Sequence, residues 1–152
     1  MSTKTDILLS LWCEARSRFT AQIEGIHSQD LLKSLDTAPN SVGFLIRHIG
    51  EVELLFAKNV FGESNIKVTA KTVIEKRDVG IWTDLESLKQ YVLDSFQILK
   101  SVIAKQSDAD WDSLTTTAEF GTKSKAEAFG RIISHTTYHA GQMALLLKYG
   151  KV

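Results

Sequence analysis

The chain has one cysteine, one proline and no net charge. Each scarcity excludes something. A lone Cys13 rules out an internal disulfide framework and suits a reducing compartment. No motif around it suggests a nucleophile, so it reads as a helix-packing residue. The 18 basic and 18 acidic residues form no basic stripe, acidic tail or polybasic anchor, which argues against nucleic acid as a partner. Met1 to Asp6 carry one lysine and one acid and lead into a segment with Trp12, Glu14 and Arg16. That pattern is neither a signal peptide nor a membrane span. Also missing are a glycine-rich phosphate loop, a nucleophile-elbow serine and a cysteine pair. With 152 residues and 43% hydrophobic content, the expectation is one globular domain over 1–152, cytoplasmic and with no membrane partner.

What is present is helical periodicity, in four stretches. The first runs from about Thr5 to Ile26, with Leu8, Leu11, Trp12, Ala15, Phe19, Ile23 and Ile26 at spacings of three and four and Thr5 as N-cap. The second runs from about Ser41 to Phe61, with Asn40 as N-cap and Gly62 as stop. The third runs from about Asp84 to Lys105 behind Thr83-Asp84-Leu85-Glu86, which has the form of a capping box. The fourth runs from about Lys125 to Tyr149, opened by a second box, Ser124 to Glu127, and closed by Gly150. Gly130 and Gly141 inside it carry a propensity cost and so mark close packing. The connections 62–83 and 106–123 are longer than a simple antiparallel hairpin of helices needs, and can carry a crossover between parallel neighbours. The fold class is all-α.

The chain has four histidines, and three sit in apolar helical settings. His48 falls among Leu45, Val52 and Leu55 on the apolar face of the second stretch. His135 and His139 stand at i and i+4 on one flank of the fourth, a spacing at which two imidazoles bind one metal ion. His48 lies eight residues after Asn40, about 12 Å into its helix, and His139 ten residues before Tyr149, about 15 Å from the far end. If the two helices run antiparallel, these depths agree within a turn. A three-His site would leave one coordination position open, which separates a catalytic metal from a structural one. The plainer account is three histidines satisfied by hydrogen bonds in the core. His27, in a polar context, reads as a surface residue. Thr136 stands where a zinc protease of the H-E-x-x-H type would place glutamate. Glu51, one turn after His48, is a candidate acid, though a solvated residue beside Arg47 is the plainer reading. Gln142 and Tyr138 flank the pair and can support it or simply pack. Arg131 faces an anionic ligand or solvent, and Trp82 and Trp111 shape a pocket mouth or pack.

Two segments carry a resemblance. Ser41-Val42-Gly43-Phe44-Leu45-Ile46-Arg47-His48-Ile49-Gly50-Glu51 resembles the first histidine segment of the DinB-like superfamily, which includes YfiT-like proteins. Ile133-Ser134-His135-Thr136-Thr137-Tyr138-His139-Ala140-Gly141-Gln142 resembles its second, which often reads H-x-x-x-H-R-G-Q. Ala140 replaces that arginine, which removes any anion contact from the position, and Tyr138 stands where another histidine is frequent. The resemblance covers nearly the whole chain. It implies a four-helix bundle, up-down-down-up, with a long crossover between the second and third long helices. It implies zinc or nickel held by His48, His135 and His139, and a homodimer. Some relatives are thiol-dependent transferases or isomerases using low-molecular-weight thiols, and others are described as metal-dependent hydrolases.

The leading expectation is therefore a metal-dependent enzyme acting on a small molecule, of the thiol-dependent transferase or hydrolase type. The alternatives are a non-catalytic, stress-related bundle that binds a metal or small ligand, and a bundle whose histidines only satisfy one another.

Overall fold

The computed structural model describes residues 1–36 and 38–152. Helices hold 65% of the chain, so the all-α expectation stands. The four periodic stretches are α1 (Lys4–Gly25), α2 (Val42–Asn59), α4 (Leu85–Ala104) and α5 (Lys125–Tyr149), with a one-turn α3 (Lys71–Glu75) inside the connection from α2 to α4. The connection from α4 to α5 holds an antiparallel hairpin of β1 (Leu114–Thr117) and β2 (Gly121–Ser124), paired from Leu114–Ser124 to Thr117–Gly121. Neither α3 nor the hairpin was expected. Their signals are short: a β-branched run at Thr115–Thr117 and Gly121, whose positive φ turns the chain back. No helix among the described residues is long and apolar enough to cross a membrane.

The helix starts follow local hydrogen bonding, and three differ from expectation. Thr3, not Thr5, caps α1, in a reciprocal box with Asp6. Thr5 is drawn inward instead, where its hydroxyl donates to the Gln106 carbonyl and accepts the Trp111 indole N–H. Ser41, not Asn40, caps α2 by accepting from the Phe44 amide. Asp84, not Thr83 of the expected box with Glu86, caps α4 by accepting from the Ser87 amide. Ser124 and Glu127 form the expected box at α5, which ends at Gly150.

The core is two apolar clusters divided by a polar level. One gathers Phe19, Leu31, Leu45, Ile46, Ile49 and Met143, and the other Trp12, Leu99, Ile103, Trp111, Phe129 and Ile132. Arg16 and Ser95 lie between them in sequence on α1 and α4, Glu53 follows Val52 of the second cluster on α2, and all three are buried. Arg16 donates from Nε to Glu53 Oε1 at 2.7 Å and from its terminal nitrogens to Glu53 Oε2, the Val92 carbonyl and Thr20. Ser95 donates to the same Glu53 Oε2 at 2.6 Å. One carboxylate thus ties α1, α2 and α4 together. Burial pushes its carboxyl up, and Arg16 and Ser95 pull it back toward the ionised form.

The glycines that mark close packing are Gly43 and Gly50, not Gly130 and Gly141. A Cβ at Gly43 would lie 1.9 Å from the Trp82 carbonyl oxygen, and one at Gly50 2.8 Å from the Tyr91 ring, whereas at Gly130 and Gly141 it would meet nothing within 4 Å. The chain leading into α4 therefore presses directly on α2.

Removing one partner from a buried pair leaves the other charge stranded without water. Glu53→Ala is expected to lower the unfolding free energy by about 3–5 kcal/mol in urea titration. A loss of less than about 1 kcal/mol, the worth of an exposed pair, would show that the polar level does not hold the helices.

Candidate metal centre

α2 and α5 bring His48, His135 and His139 together. Each offers one ring nitrogen, and these nitrogens all lie within 4.8 Å of one another. The ring centroids stand 4.4–4.9 Å apart, and Phe44 stacks on the other side of His48. His27, read as a surface residue, is exposed at the end of α1 and takes no part.

The hydrogen bonds fix which nitrogen is bare in two of the rings. His139 Nδ1 lies 2.6 Å from Gln142 Oε1. An amide oxygen only accepts, so Nδ1 carries the proton and Nε2 keeps its lone pair. Thr72 of α3 donates its hydroxyl proton to Glu51 Oε2 at 2.5 Å, and its amide donates to the same oxygen at 2.9 Å. With that proton committed, Thr72 Oγ1 accepts from His48 Nδ1 at 2.9 Å, which leaves His48 Nε2 bare as well. His135 Nε2 stands 3.0 Å from His48 Nε2. Its Nδ1 is buried with no partner.

Glu51 is wholly buried, which corrects the reading of it as solvated. Its Oε1 accepts from Arg47 Nε at 2.8 Å, and the Arg47 guanidinium lies 3.5 Å from the centre of the Tyr91 ring. A buried carboxylate needs these partners. One came from four residues away and one from Thr72, a residue with no distinguishing local pattern. Trp82 lies under Arg47, and Trp111 is buried beside Phe129; neither lines the histidine cavity.

Burial lowers all three imidazoles, His48 to about 4 and His135 to about 3, and the charges of the neighbouring rings add to the effect. His139 is lowered by burial against the opposing Gln142 contact. All three are neutral at pH 7, the form in which imidazole binds a metal.

This donor set fits a divalent ion. Zinc–imidazole bonds of about 2.0–2.1 Å place tetrahedral ligands roughly 3.3 Å apart, close to the 3.0 Å between His48 and His135. At that distance the bare His48 Nε2 either accepts a proton from His135 Nε2 or shares a cation with it. The supported rings also match the habit of metal-binding histidines, whose second nitrogen is tied to a carboxylate, carbonyl or amide.

The histidines form one wall of a cavity of about 720 Å³ between α2, α5 and the hairpin. Tyr138 is exposed at its edge, and Arg131 pairs with Glu119 at 3.0 Å across its rim. Phe120 packs over Phe56 at the hairpin turn.

The family model for the DinB superfamily matches residues 12–143, and the chain belongs to that superfamily. No curated protein matches the chain.

Two outcomes follow from the hydrogen bonds and the burial. Neutral histidines in the fold become protonated on unfolding, where their pKa is about 6.5. The unfolded state then binds more protons below that value, so stability is full above about pH 6.5 and falls as pH drops toward 4. Urea midpoints measured across this range on metal-free protein should show the decline, and replacing His48 and His135 together by Gln should flatten it. Thr72→Val removes the acceptor of His48 Nδ1 and one donor to Glu51, with an expected stability loss of about 1–3 kcal/mol. Imidazole ¹⁵N shifts should then report mixed tautomers at His48, while Thr72→Ser keeps one; an unchanged single tautomer in Thr72→Val would contradict the assignment.

Proposed function

We propose that this member of the DinB superfamily binds a divalent metal ion, zinc or nickel, through His48, His135 and His139. We propose further that it is a metal-dependent enzyme acting on a small molecule, of the thiol-dependent transferase or hydrolase type. The observation that carries the reading is the convergence of neutral, lone-pair-bearing imidazoles on the wall of a cavity large enough for a substrate. A bound divalent cation supplies Lewis acidity that makes a thiol or a water nucleophilic near neutral pH.

The protein's own groups then have defined tasks. Gln142 and Thr72 orient His139 and His48. Glu51 acts as a positioning residue through Thr72, because both its oxygens are engaged and it has no exposed surface. Its place as a candidate acid toward substrate is therefore not supported.

The same reading covers the whole chain. Gly43 beside Trp82, Gly50 beside Tyr91 and Glu53 beside Ser95 follow one another in the same order along α2 and along α4 with the residues that lead into it. That order supports an up-down-down-up four-helix bundle with 60–84 as the crossover, folded as a single domain over 1–152. A cytoplasmic homodimer using a low-molecular-weight thiol completes the proposal. The exposed apolar residues Ile7 and Leu11 of α1 and Leu145 and Tyr149 of α5 support the dimer.

A second reading has its own support. No carboxylate free of a partner lines the cavity among the described residues, which favours a non-catalytic protein that binds a metal or small ligand.

Elemental analysis of protein purified without a metal-affinity column tests the proposal. About one zinc or nickel per chain is expected in the wild type and much less in His139→Ala, with a lower Tm for the wild type on chelation. No metal in either, even after reconstitution, would leave the histidines as core residues. Metal-loaded protein that turns over thiol and electrophile pairs, or esters and amides, supports the enzyme; inactivity with tight ligand binding supports the second reading.

A further inference from the structure

We propose that the cavity beside the three histidines selects a neutral, predominantly apolar small molecule with a single polar head. The head sits at the histidines and the apolar body runs toward the hairpin. The orientation rests on the metal reading above, but the chemical class of the ligand does not.

The walls give the class. Val52, Leu55 and Phe56 of α2 and Val60 just after it form one side, and Phe120 and Tyr138 face them from the hairpin and α5. Of the α2 residues that line the cavity, His48 and Asn59 are polar, one at each end, and those between them are apolar. A volume of about 720 Å³ lies within the usual range for pockets that enclose a small organic ligand, about 300–1,000 Å³. The hairpin closes the end away from the histidines, where Phe120 packs 6.4 Å from Phe56, centre to centre.

The charges exclude the alternative. Among the described residues lining the cavity, Arg131 and Glu119 are the ones that carry charge, and they neutralise each other at 3.0 Å on the rim. The Arg131 guanidinium also lies over the Phe120 ring. A carboxylate or phosphate on the ligand's tail would therefore give up its water for a wall with no unpaired cation, while an apolar tail loses nothing and gains the burial.

The test uses the full chain in metal-free and metal-loaded forms, with the neutral fluorophore N-phenyl-1-naphthylamine as probe. Saturable binding of about one probe per chain is expected in both forms. Displacement by primary amides from butanamide to octanamide should strengthen by roughly fourfold per methylene, and suberic acid monoamide, which adds a carboxylate at the tail end, should compete at least tenfold more weakly than octanamide. Ser134→Trp and Leu55→Trp, which place an indole in the cavity from α5 and from α2, should each weaken probe binding at least tenfold. Each variant is compared at matched Tm, so that a loss of folding in one leaves the other decisive. Absence of saturable probe binding in the wild type, an amide series with no length dependence, or suberic acid monoamide competing as well as octanamide would each overturn the proposal. Probe binding without metal uptake would sink the metal reading and keep this one, and metal uptake without probe binding would do the reverse.

Discussion

A carboxylate taken out of water must regain inside the protein the hydrogen bonds that water supplied, and α2 meets this constraint twice. Glu51 and Glu53 are both wholly buried. Two residues apart on a helix, they leave its axis about 200° from each other, on nearly opposite sides. Each is answered by an arginine and a hydroxyl: Arg47 and Thr72 for Glu51, Arg16 and Ser95 for Glu53. The Glu53 side fixes α1 and α4 on α2. The Glu51 side fixes the connection between α2 and α4 and, through Thr72, the orientation of His48. Helix packing and site geometry are therefore set from one short stretch of one helix, and a shift of that helix would disturb both.

The same constraint accounts for the electrostatics of the histidines. Their setting is apolar enough to keep them neutral, which leaves the nitrogens able to ligate. A neutral imidazole has two tautomers, however, and desolvation does not choose between them. Gln142 and Thr72 make that choice. Glu51 makes Thr72 an acceptor toward His48 by taking its only hydroxyl proton. Arg47, held over Tyr91, keeps Glu51 in place, and Gly50 is the gap that lets the Tyr91 ring come so close to α2. The chain of cause runs from a glycine through an aromatic ring, an arginine and a carboxylate to the tautomer of a metal-ligand candidate.

This explains what could be read from the sequence and what could not. The four long helices were legible because their apolar faces repeat at helical spacing. The bounds of α5 were legible because Ser124, Glu127 and Gly150 are local signals. The meeting of His48 with His135 and His139 was legible because each occupies a helix face whose burial the pattern shows. Glu51 was misread for the complementary reason. A charged residue four positions from an arginine looks like a solvated pair, and only Thr72, in a connection with no periodicity, makes burial affordable. Gly130 and Gly141 were singled out by their place inside a helix, whereas the close approaches fall at Gly43 and Gly50, where a different part of the chain arrives. The hairpin was hidden because four-residue strands carry almost no period.

The arrangement also bears on which reaction the cavity suits. Hydrolysis of an ester or amide is helped by a separate group that takes a proton from water and returns it to the leaving group. Glu51 is fully engaged behind His48, and Glu119 is paired with Arg131 at the rim, so neither carboxylate is free for that work. A thiol needs less help: it is a stronger acid than water by several pKa units, and its anion is already a good nucleophile. A site whose chemistry rests on three histidines and an apolar wall is thus better matched to a co-substrate that brings its own acidic proton. That favours the thiol-dependent reading over the hydrolytic one, and it fits a cavity whose remaining surface is built to hold an apolar partner.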